Sequence, residues 1–122
     1  MIKRLPDAEF EVMKILWRCS SPTTTLQIIE KLEPVKDWKP QTVLTILARL
    51  IEKGFLKSER IGRERNYTPI IQEQEYMRIE TGEFMNRYRG NSLGSLVKTL
   101  YDEQGLSDDA LHELREWLEK RK

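Results

Sequence analysis

The stretch that decides the fold runs Pro40-Gln41-Thr42-Val43-Leu44-Thr45-Ile46-Leu47-Ala48-Arg49-Leu50-Ile51-Glu52-Lys53-Gly54-Phe55-Leu56-Lys57-Ser58-Glu59-Arg60-Ile61-Gly62-Arg63-Glu64-Arg65-Asn66-Tyr67-Thr68-Pro69. Its hydrophobic period changes once, at Gly54. Before that point Val43, Leu47, Leu50 and Ile51, with Ile46 beside them, recur at the spacing of an amphipathic helix. Pro40 suits the first turn of that helix and Gly54 the position just past its end. After Gly54 the period falls to two. Phe55, Leu56, Ser58 and Arg60, then Arg65, Tyr67 and Thr68, predict two short strands joined by a turn over Ile61-Gly62-Arg63-Glu64.

The helix has a second face, made of Gln41, Thr42, Thr45, Ala48 and Arg49, and no acidic residue occurs in it before Glu52. A helix face that only meets solvent usually mixes Glu with Lys. Short polar groups with one arginine suit close approach to a polyanion. The hairpin carries Arg60, Arg63 and Arg65 around its tip, placed to touch phosphate or a minor groove. Basic residues on an exposed hairpin also serve simply to protect an edge strand.

Two helices are predicted upstream. Asp7 to Cys19 carries Phe10, Met13, Ile15, Leu16 and Trp17 at helical spacing, opened by Pro6 and Asp7 and closed by Ser20-Ser21-Pro22. The second begins at Thr24, with Gln27 three residues on as a capping box, and its predicted buried residues are Leu26, Ile29 and Leu32. Glu33 to Lys39 forms a polar connector in which Trp38 is expected to pack inward. Three helices followed by a basic hairpin give a mainly α fold with a small β-hairpin wing: a winged helix-turn-helix head over residues 1–71.

Residues 72–122 predict helices only. Gln72 to Arg89 carries Tyr76, Ile79, Phe84 and Tyr88. Leu93, Leu96, Val97, Leu100 and Tyr101 form a further stripe, and Leu111, Leu114, Trp117 and Leu118 line a last helix capped by Ser107. Helices this few and short cannot bury such stripes against one another. A C-terminal helical dimerisation region, with the stripes covered by a second copy, is the expected solution; the alternative is packing on the chain's own head. The candidate dimerisation residues are Tyr76, Phe84, Leu93, Leu96, Val97, Leu100, Leu111, Leu114, Trp117 and Leu118.

Composition limits the function classes. Charged residues are 34% of the 122 and the net charge is +1, yet residues 1–70 hold 13 basic against 9 acidic side chains while 71–122 hold 8 against 11. That asymmetry fits a front half that meets nucleic acid. No apolar run approaches the roughly 20 residues of a membrane span, the amino terminus has no secretory pattern, and the lone Cys19 fits a reducing compartment, so a cytoplasmic protein is expected. One His, one Cys and no glycine-rich phosphate loop assemble no catalytic constellation, and Ser92 and Ser95 flank no histidine, so an enzyme is not expected. No metal or other cofactor is expected either: Cys19 reads as a small packed residue and His112 stands among polar neighbours.

These residues resemble the penicillinase-repressor (BlaI/MecI/CopY) family. The markers are Leu5-Pro6-Asp7-Ala8-Glu9-Phe10-Glu11-Val12-Met13, Lys39-Pro40-Gln41-Thr42-Val43, Arg49-Leu50-Ile51-Glu52-Lys53-Gly54 and Tyr67-Thr68-Pro69, with Asn86-Arg87, Ser92-Leu93 and Ser95-Leu96-Val97 in the tail. The resemblance implies a homodimeric repressor on a palindromic double-stranded DNA operator, acting by occlusion. It maps DNA contacts onto Gln41, Thr42, Leu44, Thr45, Ala48 and Arg49; on physical grounds the wing arginines, and Lys39 with them, are expected on phosphate. Leu44 departs from family members that carry Arg or Gln there, and Ala48 from some that carry Thr. Such side chains can touch a thymine methyl but make no bidentate base contact. The copper-responsive branch ends in a cysteine-rich motif that this tail lacks. The antibiotic-responsive branch is switched off by proteolysis in the tail, at a bond matching Thr99-Leu100 here, which would make a membrane sensor-protease a further partner. An activator, or a winged-helix module that binds protein instead of DNA, is the alternative; the latter would predict neutral or acidic residues on the third helix and the wing.

Overall fold

The structure is a computed structural model that describes residues 2–121. Its first compact unit runs to Phe84 and its second starts at Met85. The first contains α1 (Asp7–Arg18), β1 (Thr23–Thr24), α2 (Thr25–Leu32), α3 (Pro40–Glu52), β2 (Leu56–Ile61), β3 (Glu64–Pro69) and most of α4 (Glu73–Arg87). The second holds the end of α4 with α5 (Leu93–Gln104) and α6 (Asp108–Lys120).

Each helix of the head starts for a visible reason. Asp7 and Glu9 place negative charge in the first turn of α1, where the helix dipole favours it. Thr24 accepts from the Gln27 amide while the Gln27 side chain accepts from the Thr24 amide, the reciprocal pair of a capping box. Pro40 opens α3 and Gly54 (φ +83°) follows it, in the left-handed region that a β-carbon disfavours.

The core takes Val12, Met13 and Leu16 from α1, Ile28 and Leu32 from α2, and Val43, Ile46, Leu47 and Leu50 from α3. Phe55, Leu56 and Tyr67 close it from the sheet side, and Trp38 packs against it from the connector. In α2 the buried line is Ile28 and Leu32, with Ile29 half-buried, whereas Leu26, expected inside, is 61% exposed. In α3 it is Ile46 that is buried, and Ile51 that lies on the rim.

The sheet has three strands in the order β1-β3-β2, all antiparallel. The hairpin was expected; β1, only two residues long and paired Thr23 to Tyr67 and Thr24 to Asn66, was not. Its loop is Gly62-Arg63, between the paired Ile61 and Glu64. Gly62 has φ +63° and no non-glycine residue described has positive φ, the combination of a type II′ turn.

Tyr76 is a correction. Expected at an interface between two copies, it is 1% exposed and belongs to the head's own core. Its ring stands 5.7 Å from Phe10, 5.6 Å from Trp17 and 5.6 Å from Phe55. Its hydroxyl accepts from the Leu5 amide at 2.6 Å and donates to Glu80 at 3.1 Å. Burial, and then the neighbouring Glu80 carboxylate, outweigh the Leu5 bond and push its pKa up to about 12. Trp17 donates its indole N–H to the Ile71 carbonyl at 2.9 Å, fixing the entry to α4. The compact head therefore extends past residue 71, because the first turns of α4 supply part of its core.

The second unit is built differently. Ser92 caps α5 and Ser107 caps α6, and neither helix has a buried residue. Leu93 (62% exposed), Leu100, Leu114, Trp117 and Leu118 stand open, while Leu96, Val97 and Leu111 are half-covered.

Candidate nucleic-acid interface

Burial of Val43, Ile46, Leu47 and Leu50 fixes the rotation of α3. With that stripe inward, Gln41, Thr42, Leu44, Thr45, Ala48 and Arg49 are all exposed, so one helix face gathers all six candidate positions. The Thr45 hydroxyl donates to the Gln41 carbonyl at 3.0 Å, which leaves its oxygen as an acceptor outward. Lys39 precedes α3 as an exposed cation and makes no side-chain capping bond.

The wing is sided. Alternation along β2 and β3 puts Ser58, Arg60 and Arg65 on the sheet face that also carries the buried Leu56, Tyr67 and Pro69. Glu59 and Glu64 occupy the reverse face. Arg60 and Arg65 are direct cross-strand partners, and like charges so opposed destabilise a hairpin. Arg65 is steadied by donating to Ser58 at 3.0 Å. Arg63 projects from the loop, exposed.

Two contributors went unnoticed in the sequence. Ser58 orients Arg65, which its position two residues before Arg60 on the same strand face could have signalled. Lys57 is a further exposed cation on β2.

The remaining candidate residues lie elsewhere. Of those assigned to dimerisation, Phe84 is 47% exposed near the end of the head, and the rest other than Tyr76 are on α5 and α6. Thr99 and Leu100 are mid-helix in α5, and the Thr99 hydroxyl donates to the Ser95 carbonyl at 2.9 Å. Cys19 is half-buried just past α1, and His112 faces Glu116 at 3.2 Å on α6. Among the described residues no helix is long and apolar enough to cross a membrane.

Comparison with known proteins places this geometry. A penicillinase repressor of Bacillus licheniformis is 38% identical over 121 residues, covering 99% of this chain and 94% of its own length. The methicillin resistance regulatory protein MecI of Staphylococcus aureus (strain N315) is 31% identical over 117 residues, covering 96% of this chain and 94% of that protein. The solution structure of the DNA-binding domain of the repressor BlaI is 42% identical over 62% of this chain and 92% of its own, with a TM-score of 0.55. The monomeric form of Bacillus licheniformis BlaI in complex with the blaP half-operator is 43% identical over the same shares, with a TM-score of 0.54. Residues 5–120 match the penicillinase repressor family, and the chain belongs to that family.

Proposed function

We propose that this chain is a sequence-specific, DNA-binding transcriptional repressor that works as a homodimer on a palindromic operator. One observation carries the proposal: the outer face of α3, which holds no acidic residue from Gln41 to Arg49, is exposed beside a wing whose Arg60 and Arg65 oppose each other. Like charges held face to face are unfavourable in the free protein and become favourable against phosphate.

In this reading α3 enters the major groove, where Gln41, Thr42, Thr45 and Arg49 meet base edges. Arg60, Arg63, Arg65 and Lys39 contact phosphate and supply the salt-dependent share of affinity. The exposed apolar residues of α5 and α6 are covered by the same residues of a second copy, so that two heads bind as one. Occupancy of the operator occludes transcription. A membrane sensor-protease that cut Thr99-Leu100 would have to unwind α5 first, because extended backbone is what a protease cleft takes.

Selection from random duplex DNA at two salt concentrations tests this. An inverted repeat with half-sites about one helical turn apart, or a small multiple, is the expected product. Recovery of unrelated sequences whose binding fades with salt would overturn it in favour of non-specific binding or protein recognition.

A further inference from the structure

Leu44 is 39% exposed at the edge of the outer α3 face, and Ala48 lies one helical turn on, also exposed. Gln41, Thr45 and Arg49 lie on one side of them and the rim residue Ile51, 37% exposed, on the other, so a short apolar strip borders the hydrogen-bonding surface. The core does not account for it: α3 meets the head through Val43, Ile46, Leu47 and Leu50.

We propose that Leu44 and Ala48 read the C5-methyl groups of two thymines in each half-site, which makes them specificity-determining residues of this repressor. The inference rests on the DNA-binding reading above. The thymine methyl is the apolar feature that a standard base pair presents in the major groove, and side chains without donors can recognise only that. Spacing agrees. Residues i and i+4 are separated by about 6 Å along a helix, and stacked base pairs by about 3.4 Å. A helix lying in the groove therefore sets the two side chains over base pairs one or two steps apart. The same pair excludes alternatives. A guanine or adenine under Leu44 would lose water from N7 and its neighbour without gaining a donor, and that penalty adds to the discrimination the methyl contact gives.

The test uses the full chain and the operator it selects. Each thymine of one half-site is replaced in turn by uracil, which removes the methyl and keeps every hydrogen bond. Loss of about fourfold in affinity at two positions no more than two steps apart is expected, the factor for burying one methyl group. In Leu44→Ala one of those sensitivities disappears while the other remains. A C·G pair at the position under Leu44 binds weakly and regains affinity when the cytosine carries a 5-methyl group. Affinity indifferent to uracil at every position would overturn the inference while leaving the repressor reading intact. So would equal sensitivity at both positions in Leu44→Ala. Failure to select any operator would instead remove the DNA reading, and this inference with it.

Discussion

The Leu5 amide donates to the Tyr76 hydroxyl at 2.6 Å, so the first segment of the chain and the first turn of α4 hold one another in place. Tyr76 in turn donates to Glu80, whose carboxylate also accepts from Arg4 at 3.1 Å. Tyr76→Phe leaves the Leu5 donor buried without its acceptor, and should lower stability by about 1–3 kcal/mol in urea unfolding.

The raised pKa of Tyr76 gives the same residue a pH signature. The unfolded chain ionises it at the ordinary tyrosine value of about 10 and the folded chain at about 12, so the folded state holds the proton longer. Its stabilising contribution is complete below about pH 10 and is lost as pH rises toward 12. Unfolding free energy between those limits should fall more steeply in the native sequence than in Tyr76→Phe. Parallel slopes would contradict this.

Glu9 is 4% exposed and meets Lys53, which is half open to water. Truncating the two sides should differ. Lys53→Ala strands a buried carboxylate, and should cost more than Glu9→Gln, which leaves a cation free to turn outward. A gap of about 1 kcal/mol or more in thermal melts is expected.

The wing arginines should separate binding from stability. Arg63→Ala is expected to weaken all duplexes nearly alike and to reduce the slope of log affinity against log salt by about one. Arg60→Ala relieves the opposition to Arg65, and should stabilise the free protein by about 0.2–1 kcal/mol while weakening DNA binding. A change of base preference at one position for Arg63→Ala would mean the loop meets bases.

Pairing can be tested on α6. Trp117 is 55% and Leu118 50% exposed, so neither Trp117→Ala nor Leu118→Asp opens a cavity in the chain itself. Both should shift sedimentation from dimer to monomer, Trp117→Ala by about tenfold or more in dissociation constant. Operator affinity should fall in step. A monomer that binds at full strength would refute the linkage.

The head was legible because its signals agree. Pro40, Gly54, the Thr24–Gln27 pair and the change of period at Gly54 each fix a boundary locally. Two things were less so. In α2, Leu26, Ile28, Ile29 and Leu32 support more than one rotation, and only packing against α1 and α3 selects the line through Ile28 and Leu32. Tyr76 illustrates the other limit. A pattern of apolar residues says that a face will be covered, not by which surface, and it took the ring contacts with Phe10, Trp17 and Phe55 to assign it to the head. β1 is too short to carry any period. On α3, the six candidate positions follow from helical geometry once the buried stripe is known.

The seam after Phe84 has an evolutionary reach. Residues before it complete their own interior, and the helices after it bury none of theirs. Drift on the two sides is therefore nearly independent. If the head reads DNA and the tail pairs as proposed, changes at Leu44 or Ala48 would rewrite an address without disturbing partner choice, and changes at Leu114 or Trp117 would alter who pairs with whom without touching the address. Duplicated copies of such a gene can part company by either route, one substitution at a time.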